Sequence, residues 1–138
     1  MTELVRSAVD AFGRLTAVHA GSDAPGEGPA SLTCFEEYTF TFEHGSITIT
    51  ADGETDSLTV GENSGTWLDV ADLSMRPPWA DAMGCGILWL WLLENQYGYV
   101  DGVQIEFADG ASKNVTVQLT CWASALTASR IVRFTDRP

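Results

Sequence analysis

Two histidines and three cysteines are the residues of this chain best suited to nucleophilic or metal chemistry. They are His19, His44, Cys34, Cys85 and Cys121, and no two stand at a ligand-pair spacing. Zinc needs closely paired donors to close a four-coordinate shell, so no metal site is expected. A Cys–His pair could still assemble in space, but no local signature supports one. Gly61-Glu62-Asn63-Ser64-Gly65 has its serine displaced from the elbow position of a hydrolase. His44 reads as the tip of a hairpin, and His19 as the end of a first helix, where a cation is favourable. Gly84-Cys85-Gly86 is a pair of glycines and not a phosphate loop, since no strand-to-helix spacing surrounds it.

Carboxylates give a second set. Asp52, Glu54 and Asp56 alternate as at the start of a calcium loop. Ser57 then stands where that loop needs glycine, and Asn63 where it needs a bidentate glutamate. The segment reads as a solvated hairpin turn. Glu36 and Glu37 are adjacent, so a strand would point them to opposite faces. Glu106 reads as an ordinary polar-face residue between Ile105 and Phe107. No catalytic, cofactor-binding or metal-binding residue is expected, and no cofactor.

The densest unusual stretch runs from Trp89 to Gly102. Trp89, Trp91, Asn95, Gln96, Tyr97 and Tyr99 combine rigid aromatic area with amide hydrogen bonding, as recognition surfaces do. Asn95, Gln96, Tyr97 and Tyr99, together with Asp52, Glu54 and Asp56, form the candidate binding surface. The competing reading has the tryptophans filling a core and Asn95 to Gly98 forming a hydrogen-bonded turn.

The stretch Asn95-Gln96-Tyr97-Gly98-Tyr99-Val100-Asp101 resembles the N-Q-x-G-Y-x-D segment of a small bacterial family of uncharacterised domains. The acidic turn Asp52-Gly53-Glu54-Thr55-Asp56 is similar to that family's D-x-x-T-D turn. The likeness covers about residues 36–108. It implies a bacterial source and no established activity, and it brings no catalytic residue with it.

The elements that must position these residues follow from periodicity. Leu4, Val5, Ala8, Val9, Phe12, Leu15 and Val18 recur every three or four residues, which predicts an amphipathic helix over 3–19. Residues 20–31 hold Gly21, Pro25, Gly26, Gly28 and Pro29 and read as a flexible loop. From Leu32 onward the period is two. Tyr38–Phe42 and Ile47–Ala51 pair as a hairpin, and Leu58 and Val60 continue the alternation. A short strand is expected at 66–70 and a helical turn at 79–83. Ile87–Leu93, apolar on both sides, fits a central strand covered on both faces, or a short buried helix, and the strand is preferred. Val103–Phe107 and Val115–Cys121 form a second hairpin, while residues 123–138 stay ambiguous between helix and edge strand. The sum is a single α+β domain over 1–138. Its N-terminal helix packs on a mainly antiparallel, meander-like sheet.

Composition bounds the function. The 138 residues carry a net charge of −12, and 45% are hydrophobic, enough for a packed core. Residues 1–110 hold a balance of −15 and residues 111–138 one of +3. Such acidity excludes a general nucleic-acid binder, which needs cations for phosphates. The N-terminus lacks a basic-then-apolar leader, and the longest apolar run is too short to span a bilayer, so a cytoplasmic protein is expected. An odd number of cysteines argues against a disulfide framework. The leading expectation is a non-enzymatic module that binds another protein, most concretely an immunity-type inhibitor of a basic toxin. The alternative is a small-molecule pocket, possibly enzymatic, in a cone-shaped α+β fold. Homo-oligomers remain open.

Overall fold

The computed structural model describes residues 12–22, 34–52, 57–61, 69–122 and 125–131. Ten strands follow in chain order: β1 (Leu15–Ser22), β2 (Cys34–Phe35), β3 (Glu37–Phe42), β4 (Gly45–Asp52), β5 (Ser57–Gly61), β6 (Asp69–Asp72), β7 (Gly86–Glu94), β8 (Val100–Ala108), β9 (Asn114–Trp122) and β10 (Ala125–Ile131). A 3-10 turn, Trp79–Ala82, lies between β6 and β7. The strands form two antiparallel five-stranded sheets, ordered β5-β4-β3-β1-β6 and β2-β10-β9-β8-β7.

Alternation explains the core. Tyr38, Phe40 and Phe42 of β3, Ile47 and Ile49 of β4, and Leu58 of β5 are buried on the inner face of the first sheet. Leu90, Val103, Ile105, Phe107, Val115, Val117, Leu119, Cys121 and Leu126 line the inner face of the second. Phe40 and Phe107 meet across the gap, ring centroids 6.4 Å apart. Trp79 fills the side of the core, 5.2 Å from Phe40 and 5.6 Å from Tyr38. Those separations suit tilted aromatic packing.

The expected α+β architecture is corrected: the described fold is all-β. Leu15–Ser22, the end of the expected N-terminal helix and the start of the expected loop, is a strand that pairs with β3 and β6. The cause is a β-bulge. Between Leu15 and Ala17 the register slips, so the inward residues are Leu15, Val18 and Ala20. A bulge adds one residue to a strand, which turns one spacing of two into three and imitates a helical repeat. The rest of the expected helix before Phe12, and the expected loop from 23 to 31, lie outside the described residues.

The second correction concerns β7. It is a strand as expected, but it stands at the edge of its sheet and not at the centre. Leu90 is buried, whereas Leu88, Trp89 and Trp91 are 52%, 45% and 39% exposed. The expected meander is real but divided, as β3-β4-β5 in one sheet and β7-β8-β9-β10 in the other. Residues 125–131 of the ambiguous tail are strand. Among the described residues, no helix is long and apolar enough to cross a membrane.

Candidate binding surface

Among the described residues, the large exposed aromatic side chains lie on the β7–β8 hairpin. Its turn is built by local chemistry. Asn95 Oδ1 accepts hydrogen bonds from the backbone N–H of Tyr97, at 2.9 Å, and of Tyr99, at 3.2 Å. Its Nδ2 donates to Asp101 Oδ2 at 3.3 Å. Gly98 N–H donates to the Asn95 carbonyl at 3.1 Å, with Gly98 at φ +86°. Only glycine takes that conformation without steric cost, and it closes a three-residue hairpin loop. With the amide of Asn95 turned inward, Gln96, Tyr97 and Tyr99 are left outside, Tyr97 at 77% exposure. Asn95 therefore positions the surface and does not itself present it.

Behind the turn, Trp89 and Trp91 stack on one another, centroids 6.1 Å apart and planes at 24°. They lie opposite Glu106 and Gln104 of β8, on the outer face of the second sheet. A polar ladder continues across that face: Gln104 Nε2 donates to Gln118 Oε1 at 2.8 Å, and Gln118 Nε2 to Thr120 Oγ1 at 3.1 Å. Glu106 is 3% exposed and accepts from Asn114 Nδ2 at 2.6 Å. Its burial corrects its reading as an ordinary polar residue. Glu37, also 3% exposed, accepts from Thr50 Oγ1 at 3.0 Å. Nothing in the alternation distinguishes these two glutamates from solvated ones. Leu88 is the aromatic patch's missed neighbour; it occupies the bulge between Ile87 and Trp89.

Asp52 is exposed at the end of β4, opposite Ser57. Glu54 and Asp56 lie outside the described residues. The ring contact of Phe35 with Tyr38 ties the start of β3 to β2 and hence to β10. Following register through β10, β9 and β8 then puts Asp52 and the Asn95–Tyr99 turn at the same end of the two sheets. β5, which starts beside Asp52, packs against β8.

The residues suited to catalysis are dispersed. His19 is in β1, not at a helix end, with Nε2 3.9 Å from Asp72 Oδ2. Asp72 is held below the usual carboxylate range first by the Ser74 side chain and next by the Ser74 backbone N–H, which donates to its Oδ1 at 2.9 Å. His44 is in the two-residue β3–β4 turn. Cys85 and Cys121 are buried, and burial pushes the Cys85 thiol up. Among the described residues, no cluster of His, Cys, Asp and Glu could hold a metal ion.

Between the sheets, where a cone-shaped fold would open its pocket, the rings of Phe40 and Phe107 meet. A cleft lined by Tyr38, Leu73, Arg76, Pro77, Pro78, Trp79 and Ala128 holds about 80 Å³. Ligand pockets commonly run to about 300–1,000 Å³.

A family model matches residues 6–134 and describes a family of unknown function, DUF6334. The chain belongs to that family. Neither the curated proteins nor the solved structures contain a match to it. Membership of DUF6334 agrees with the resemblance to an uncharacterised domain family drawn from the sequence, and it brings no activity with it.

Proposed function

We propose that this chain is a non-enzymatic module that binds a basic protein through the β7–β8 hairpin. One observation carries the reading. Leu88, Trp89, Trp91, Tyr97 and Tyr99 are exposed together on one hairpin. Between Pro77 and Ser112 the chain has five acidic residues and no Lys, Arg or His. Singly scattered exposed apolar residues are ordinary, but several large ones gathered on one hairpin, two of them stacked, point to an interaction site. Tryptophan and tyrosine are the side chains most enriched among interface hot spots. The surrounding negative charge would speed encounter with a cationic partner and reject anionic ones. An immunity-type inhibitor of a basic toxin is the most concrete form of this role.

The test is affinity capture from native lysate, at low salt and again near 0.3 M, where the Debye length is about 6 Å. The expected result is one stoichiometric basic protein that persists at the higher salt. Trp91→Ala and Tyr97→Ala should each weaken its binding by about 2 kcal/mol, as hot spots do. Binding that is indifferent to both changes would reject the hairpin as the surface.

A further inference from the structure

We propose that β7 is a strand-addition site, which takes an extended basic segment of the partner as a sixth strand of the second sheet. The inference rests on the hairpin being a protein-binding surface and adds how the partner is held. The sheet order ends on β7, with β8 on one side of it. Among the described residues, no strand pairs with its other side. An edge of this kind presents outward-facing N–H and C=O groups at alternate residues.

Edges are usually blunted by charge, proline or bulges. From Gly86 to Leu93 there is no charged residue and no proline. The register shifts lie at its two ends, between Ile87 and Trp89 and between Leu93 and Glu94. Between them the pairing with β8 is unbroken from Trp89 to Leu93. Five residues at about 3.4 Å each offer roughly 17 Å of edge. That length suits a short peptide strand, whose backbone would supply affinity and whose alternate side chains would supply specificity.

The charge pattern selects the occupant. Side chains on the outer face of an added strand would lie beside Trp89 and Trp91, whose rings are 45% and 39% exposed. Arginine and lysine stack favourably on such rings. At the turn end, Glu94 is exposed and Asp101 is half-buried. A second copy of this chain fits less well, because two β7 edges would bring together two chains of net charge −12.

The experiment uses the whole chain and a peptide of alternating arginine and valine, about ten residues long. Two further versions carry backbone N-methyl groups, one on every arginine and one on every valine. Both keep the charge and the side chains, but each removes the N–H donors of one edge of the strand. Strand addition predicts that one methylated peptide binds about tenfold more weakly than the other, a difference of ~1.4 kcal/mol. It also predicts slowed amide exchange confined to β7 when the unmodified peptide is bound. Equal binding of the two methylated peptides, with Trp91→Ala still weakening both, overturns strand addition and leaves the protein-binding reading standing. No binding of any of the three at low salt overturns both. A dimer held through β7 in the free protein overturns the assignment of the edge to a partner.

Discussion

Asn95 and Tyr99 hold each other from both sides. The Asn95 N–H donates to the Tyr99 carbonyl at 2.8 Å, and the Tyr99 N–H donates to Asn95 Oδ1 at 3.2 Å. The same device closes the next hairpin. Asp109 N–H donates to the Lys113 carbonyl at 3.3 Å, and Lys113 N–H returns a bond to Asp109 Oδ1 at 3.0 Å. In both, the residue two places on donates as well: Tyr97 to Asn95, and Ala111 to Asp109. One short polar side chain thus organises the five-residue connection at each end of β8, and at one end it sets the exposed tyrosines.

Asn95→Ala removes the acceptor for two backbone N–H groups and the donor to Asp101. The expected loss is about 1–2 kcal/mol, since the freed groups are partly open to water. Gly98→Ala should cost a further ~1–2 kcal/mol, because its φ is positive. Urea unfolding of each variant checks both values. A loss within error of zero for Asn95→Ala would show that the strands alone hold the turn.

Acid stability should depend on Asp109. The N–H groups of Ala111 and Lys113 hold its carboxyl below the ordinary range. A folded-state pKa below the unfolded value gives stability that is complete above the unfolded pKa, about 3.9. That stability is lost as pH falls through the folded value. Stability should therefore be flat from neutral pH down to about pH 5 and decline below about pH 4. Asp109→Asn keeps an acceptor oxygen and removes the titration, so the decline should be shallower. Urea midpoints measured against pH decide it; parallel profiles for the two proteins would exclude a contribution from Asp109.

Thr48 lies on the outer face of the first sheet, opposite Thr39, at 1% exposure. Among the described residues, its Oγ1 has no hydrogen-bond partner. A buried hydroxyl without a partner costs about 1–3 kcal/mol. Thr48→Val keeps the shape and removes the hydroxyl, so it should raise stability by about 1 kcal/mol. A destabilised variant would show that the hydroxyl is satisfied in solution.

The buried thiols should be silent in the native state. Cys85 is fully buried, and burial raises its pKa, so little reactive thiolate is present. Cys121 is 4% exposed. In a Cys34→Ser background, a thiol reagent at mildly alkaline pH should label neither residue until denaturant is added. Rapid native labelling of Cys85 would mean that the β7 end of the sandwich opens locally.

Local chemistry was legible in the chain. Period-two alternation marked β3, β4, β5, β8 and β9, because each strand has one buried face and shows it in its own residues. The hairpin turns were equally visible, since asparagine, aspartate and glycine act within four residues of themselves. The exposed placement of Tyr97 and Tyr99 follows from the same local bonds. Long-range pairing carried the rest. Leu15 and Val18 keep a helical spacing, yet β1 pairs with β3 and β6, and only that pairing exposes the bulge that spaced them. Ile87–Leu93 is apolar throughout, and the strand pattern is the same whether a neighbour lies on one side of it or on two. Sheet order put β7 at an edge and turned Trp89 and Trp91 outward. Alternation states that a strand has an inner face; which sheet it joins, and what covers its other side, depends on partners far along the chain. The sequence alone determined β3, β4, β5, β8, β9 and the tight turns beside them, because those are near-neighbour effects. The tertiary structure decided that the described strands form two sheets with β7 last in one of them, because only the packing of distant strands selects which apolar surface is buried.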